Sequence, residues 1–179
     1  MPRRPRTIHF VSLGCPKNRV DTEGMLGLAE GCAYRHVADP AEADVIVVNT
    51  CGFIDPAKRE SIATVLELMR YRTEGRCRRL IVAGCLSQRY PEALAAELPE
   101  VDHFLGAGDV PSLREVLAGR APRVAVGAPG RWLLSASDPR RLSTRGGSAY
   151  VKIAEGCSRR CAFCVIPSLR GAQRSRTPR

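Results

Sequence analysis

Residues 150–171, YVKIAEGCSRRCAFCVIPSLRG, set Cys157, Cys161 and Cys164 within eight residues as C-x3-C-x2-C, with no histidine and no fourth cysteine beside them. Thiolates without histidine select soft metals, which narrows the choice to zinc or an iron–sulfur cluster. A closed structural zinc site takes four protein ligands, so zinc here needs a distant fourth, and its usual C-x2-C pairs are missing. A [4Fe–4S] cube held by three cysteines instead leaves one iron open to an outside ligand, and the number three then has a purpose.

A second set of thiols is spread through the first half of the chain. Cys15, Cys51 and Cys85 lie 36 and 34 residues apart, each beside a glycine (Gly14, Gly52, Gly84) and each just after a β-rich run. In a parallel α/β sheet the carboxyl ends of the strands share one edge, where ligands bind between the loops. Strand-end topology therefore predicts that these three thiols share a crevice, and the glycines allow the backbone to approach a bound group. Cys32, after a helix, and Cys77, ahead of its strand, serve as controls and are expected to be ordinary structural cysteines.

The elements that must position these residues are legible as alternating strands and helices. TIHFVSLG (7–14), ADVIVVNT (43–50) and RRLIVAG (78–84) are β-rich, and the last two are continuous apolar runs suited to burial on both faces of a sheet. VDHFLG (101–106) is a further strand. Helices are expected from about Asp21 to Glu30, after the Asp55–Pro56 pair with Ile62, Val65, Leu66 and Met69 on one face, over YPEALAAEL, and over PSLREVLAG. The prediction is a doubly wound, mostly parallel α/β domain over residues 1–118. Residues 119–147, rich in Arg, Pro, Ser and Gly, read as a linker. Residues 148–179 read as a new strand, SAYVKIAEG, leading into the cysteine loop. RTPR offers Thr177 as an N-cap and Pro178 as a first helical residue just before the sequence stops at Arg179. The expectation is a piece of a longer protein whose second domain has only begun.

Composition sets further bounds. The apolar fraction of 44% and charged fraction of 26% suit a globular protein, and no apolar run approaches bilayer length. The opening MPRRPRTIHFVSLGC mimics a lipoprotein signal, but its apolar stretch is short and contains His9, so a cytoplasmic location and reduced thiols are expected. The net charge of +10 is uneven: residues 1–118 carry 15 Lys and Arg against 16 Asp and Glu, whereas residues 119–179 carry 13 against 2. That surplus fits RNA contact by the last third, while 25 Arg against 3 Lys also fits a general bias toward arginine.

C-x3-C-x2-C with Phe163 before its last cysteine resembles the signature of radical S-adenosylmethionine enzymes. Joined to an upstream domain with three separated cysteines, it resembles the methylthiotransferases. SLGCPKNRVDTE, NTCGFIDPAKRES and KIAEGCSRRCAFCVIPSLRGAQRSR are similar to the RimO family, which acts on ribosomal protein S12; the tRNA-modifying relatives typically carry Gly-Cys-Gln-Met-Asn where this chain has Gly14-Cys15-Pro16-Lys17-Asn18. The resemblance implies two [4Fe–4S] clusters, one on Cys15, Cys51 and Cys85 and one on Cys157, Cys161 and Cys164, with S-adenosylmethionine on the open iron of the second and Phe163 near its adenine. It also implies an external electron donor and methylthiolation of the β-carbon of an S12 aspartate, the first cluster supplying or carrying the sulfur. The rest of the radical domain and a small RNA-binding-like domain would lie beyond Arg179, which leaves the piece alone inactive. The alternatives are a tRNA adenosine methylthiotransferase and a metal- or RNA-binding module without catalysis.

Overall fold

A computed structural model describes residues 4–144 and 146–177. Its centre is a six-stranded, all-parallel sheet in the order β2-β1-β3-β4-β5-β6. In chain order the elements are β1 (Arg6–Ser12), α1 (Pro16–Gly31), β2 (Tyr34–His36), β3 (Val45–Thr50), α2 (Asp55–Met69), α3 (Tyr71–Glu74), β4 (Arg79–Gly84), α4 (Cys85–Arg89), α5 (Pro91–Glu97), β5 (His103–Gly106), α6 (Leu113–Leu117) and β6 (Val124–Ala125). A separate antiparallel pair, β7 (Ala154–Glu155) with β8 (Arg174–Ser175), flanks α7 (Ile166–Arg170).

The sheet separates two apolar layers by the two-residue period of its strands. Ile8, Val45, Val47, Ile81 and Leu105 pack with Met25 and Leu28 of α1 and with Leu113, Val116 and Leu117 of α6. Ile46, Val48, Leu80, Val82 and Phe104 pack on the other side with Val65 and Leu68 of α2 and Leu94 of α5. All six residues of β3 are buried, as its continuous β-branched run predicts. Helices on both faces make the fold doubly wound. The strand order reverses at β1/β3, the place where such sheets open a crevice at their carboxyl edge.

Three local expectations change. Helix α1 begins at Pro16, five residues earlier than its apolar periodicity indicates, with Pro in the first turn and Cys15 at the N-cap. In α2, Ile54 is the N-cap and Asp55 is already helical. Its buried face is Ser61, Val65 and Leu68, while Ile62 and Leu66 are exposed. The helix is rotated because Ser61 Oγ accepts the Cys51 N–H and donates to the Cys51 carbonyl, both at 3.0 Å. The run 148–156 supplies only the two ladder residues of β7, and Val151 and Ile153 are exposed at 69% and 73%.

Residues 119–147 are not a bare tether. They contribute β6 and then a strap that lies on the outer side of α1. The Glu23 carboxylate, fully buried, accepts from Arg140 Nε (2.9 Å) and Nη2 (2.6 Å) and from Ser143 N (2.8 Å) and Oγ (2.9 Å). Arg141 N donates to the Glu23 carbonyl, and Arg141 pairs with Glu30 at 2.6 Å. Gly27 permits the approach: a Cβ there would stand 2.6 Å from Arg140 N and from the Pro139 carbonyl carbon. Glycine thus serves α1 as packing surface. No helix among the described residues is long and apolar enough to cross a membrane. Pro178 and Arg179, where a helix start is expected, lie outside the described residues, as do residues 1–3 of the basic opening.

Candidate metal centres

Strands β1, β3 and β4 are neighbours in the sheet, and Cys15, Cys51 and Cys85 follow them at its carboxyl edge. Cys15 is exposed at the N-cap of α1, Cys51 is half-buried, and Cys85 is buried as the first residue of α4. Gly14, at φ +83°, lies under Cys51: a Cβ there would be 2.9 Å from Cys51 Sγ. Gly52 meets the Cys85 carbonyl in the same way, at 2.8 Å. Gly84 takes φ +98°, ψ −155°, a backbone region that is essentially glycine-only, and so turns the chain from β4 directly into α4.

Asn18 joins these turns. Its Nδ2 donates to the Leu13 carbonyl (3.0 Å) and the Thr50 carbonyl (2.9 Å), fixing the ends of β1 and β3. Its Oδ1 accepts from Arg170 Nη2 at 2.5 Å and lies 3.9 Å from Cys85 Sγ. Asn49 Nδ2 then donates to the Asn18 carbonyl and to Thr22 Oγ1. In the sequence, Asn18 and Ser61 stand only inside the family-like stretches, with no role given to either. The available signal for Asn18 was its place one helical turn after Cys15; Ser61 gave none.

The other thiols occupy a loop between β7 and α7. Cys157 N donates to the Gly171 carbonyl (3.0 Å), closing the loop at its base, and Cys164 N donates to the Cys161 carbonyl (3.1 Å) in a turn. Gly156 and Gly171, both at positive φ, allow this closure; a Cβ on Gly171 would stand 2.9 Å from Gly130 Cα. Cys161 is exposed, Cys157 and Cys164 are half-buried, and Phe163 is 88% exposed, with its ring in solvent.

The two sets are adjacent. Leu169 of α7 and Val165 pack against Cys85 and Ala107. Arg170 Nη1 reaches Asp21 Oδ2 and Glu155 Oε2, both at 2.9 Å, and Lys152 Nζ bonds Asp21 and Glu155. Lys17 Nζ adds a longer pair to Glu155 at 3.4 Å. Burial, which favours the protonated form, is the largest influence on Glu155, but Arg170 and Lys152 outweigh it and hold its carboxyl at about 2. Burial pushes the Cys85 thiol up, and the nearby Arg170 guanidinium opposes that shift. Cys77 is also raised by burial. It lies in the α2-side core, and Cys32 packs beside the α1-side core, both away from the crevice.

Among the described residues no three His, Cys, Asp or Glu side chains are gathered closely enough to hold one metal ion. The thiols of each set are thus not drawn together to one point, although the sequence places Cys15, Cys51 and Cys85 at one sheet edge. An iron–sulfur cube takes one thiolate at each of several corner irons, and this thiol-only donor set suits that demand better than a single ion.

A family model described as uncharacterized protein family UPF0004 matches residues 7–106, more than half of the chain. The chain belongs to this family. It is also similar to proteins named ribosomal protein uS12 methylthiotransferase RimO: 66% identical over 171 residues to that of Sorangium cellulosum (strain So ce56), 55% over 170 residues to that of Anaeromyxobacter sp. (strain Fw109-5), and 56% over 174 residues to that of Heliobacterium modesticaldum. These matches cover 96%, 94% and 95% of this chain but only 35%, 36% and 37% of the relatives. The UPF0004 match spans β1 to β5, the part that carries Cys15, Cys51 and Cys85.

Proposed function

We propose that this chain is part of a radical S-adenosylmethionine methylthiotransferase that acts on an aspartate of ribosomal protein uS12. The observation that carries the reading is the packing of Val165 and Leu169, which directly follow the C-x3-C-x2-C run, against Cys85 at the sheet edge where Cys15 and Cys51 also lie, with Arg170 beside Cys85. A methylthiotransferase needs two such centres side by side, and the relatives' names supply the substrate class. The domain reading is an α/β domain over residues 1–118, a connecting segment over 119–147 that doubles as the strap, and the start of a radical domain over 148–179.

Cys157, Cys161 and Cys164 would hold a [4Fe–4S] cluster that, when bound, supplies an open iron for S-adenosylmethionine and the electron for its cleavage, while Cys15, Cys51 and Cys85 would hold the cluster that provides sulfur. The chain's own contribution is placement. Gly14 and Gly52 let the loops after β1 and β3 close on Cys51 and Cys85 without a side chain between them. Leu169 and Val165 cover Cys85 and keep water from it. Phe163, exposed at the rim, is available to stack on an adenine. A cytoplasmic location, an external electron donor and contact of exposed Arg159 and Arg160 with RNA complete the proposal.

The test is complementation. The full-length parent, expressed in cells lacking their own activity, should restore β-methylthio-aspartate in uS12, detected by peptide mass spectrometry. Methylthiolated tRNA with uS12 untouched would replace the substrate, and neither product with two intact clusters would remove the assignment.

A further inference from the structure

We infer that Asp21, Lys152, Glu155 and Arg170, linked through Asn18, form a registry latch that holds the two cysteine sets at a fixed separation and orientation. The inference rests on the methylthiotransferase reading and names positioning residues for it. All four charged side chains are 7% exposed or less, and their formal charges cancel. Asp21 belongs to α1, whereas Lys152, Glu155 and Arg170 belong to the segment that carries the second set.

A buried ion cluster is a poor way to gain stability, because desolvation consumes most of the attraction and apolar residues would do as well. It is a good way to fix geometry. The planar Arg170 fork reaches Asp21, Glu155 and Asn18 together, and can do so in few orientations. Lys152 and Glu155 stand just before Cys157, and Arg170 stands just after Cys164, so both ends of the second loop are tied to one face of α1. On that same face Asn18 ties down the turns that carry Cys15 and Cys51 and touches Cys85. A continuous polar path therefore runs from the first thiols to the base of the second loop. The buried apolar packing at Cys85 is a small cluster with Ala107, Val165 and Leu169, which by itself sets no orientation.

The experiment uses the full-length parent with Arg170→Lys, which keeps the charge and loses the fork, and Asp21→Asn, which keeps the shape and loses the α1 anion. Three readings are taken: hydrogen exchange over residues 152–171 in metal-free protein, the distance distribution between the two reduced clusters by pulsed dipolar EPR, and methylthio product formed per 5′-deoxyadenosine released. Both variants should retain two clusters by iron and sulfide content. Their exchange should quicken, the distance distribution should broaden, and product per deoxyadenosine should fall about tenfold or more, since misplacement of about 1 Å can cost more than that. Parental values in Arg170→Lys overturn the latch, and so does loss of both clusters in both variants, which would make the network a folding requirement. The first two readings need no substrate. A parent that modifies nothing while its variants broaden removes the methylthiotransferase reading alone, and a parent that modifies uS12 beside unchanged variants removes the latch alone.

Discussion

Gly27→Ala sets two effects of opposite sign against each other. Inside a helix, replacing Gly by Ala favours folding by about 0.8–1.0 kcal/mol. At this position the added Cβ would stand 2.6 Å from Arg140 N and the Pro139 carbonyl carbon and 2.8 Å from the Pro139 oxygen, whereas ordinary contact begins at 3.4 Å. Both partners are backbone, so the strap must retreat by about 0.8 Å, the difference between those distances. The Glu23 bonds at 2.6–2.9 Å would then stretch beyond useful length at one or two of their four donors. Hydrogen bonds to a charged group are worth about 1.5–3 kcal/mol each, so the loss outweighs the helical gain and strap docking weakens by about 1–3 kcal/mol. Hydrogen exchange at the Arg141 amide, which donates to the Glu23 carbonyl, reports this directly and should quicken about 10–100-fold. An unchanged Arg141 amide in a variant stabilised toward urea by about 1 kcal/mol would show that helix propensity decides and that the strap is not docked as described.

The partition of the cysteines predicts that replacing Cys157, Cys161 and Cys164 by Ala in the full-length parent leaves one cluster and ends S-adenosylmethionine cleavage; replacing Cys15, Cys51 and Cys85 should leave cleavage intact and stop sulfur insertion. Iron content and EPR should be unchanged in Cys32→Ser and Cys77→Ser, and a lost cluster in either would mean the ligands are misassigned; zinc in place of iron would give colourless protein. Gly84→Ala combines φ +98° with a Cβ 2.6 Å from the Thr50 carbonyl oxygen, and should cost at least 1–3 kcal/mol in urea denaturation; a loss under 0.5 kcal/mol would disprove the strain. The Glu23 carboxyl is raised by burial but held lower overall by the Ser143 and Arg140 donors. A depressed folded value stabilises above the ordinary glutamate range near ~4.3 and is lost as pH falls through it, so proteolysis of residues 131–143 should be constant from pH 8 to about 5 and rise below about 4. Release that begins above about pH 6 would contradict that sign.

The sheet was legible because β3 and β4 are too apolar for any site but a two-faced interior, and Cys15, Cys51 and Cys85 could be placed on one edge because strand ends in a parallel sheet share direction. The rotation of α2 was not legible, since Ile62 and Leu66 satisfy the same period as Val65 and Leu68, and one hydroxyl, Ser61, decides between them. The strap escaped for a related reason. It docks through Glu23, Arg140 and Arg141, residues that resemble a solvated surface until a partner more than a hundred positions away is known. Much of the basic surplus in the last third is thus neutralised or bonded internally: Arg123 donates to the carbonyls of Ala95, Leu98 and Val101, and Arg174 to that of Trp132.

Glu23 precedes Arg140 by 117 positions, and Asp21 precedes Arg170 by 149. At about 5–20 residues per second, a ribosome finishes α1 roughly 6–30 s before it delivers these partners. Throughout that interval the nascent helix presents bare acids and glycines along one side, which water solvates readily and which offers other chains little to adhere to. Strands β1 to β5 have emerged by the end of that time, and Arg140 and Arg170 reach α1 only afterwards.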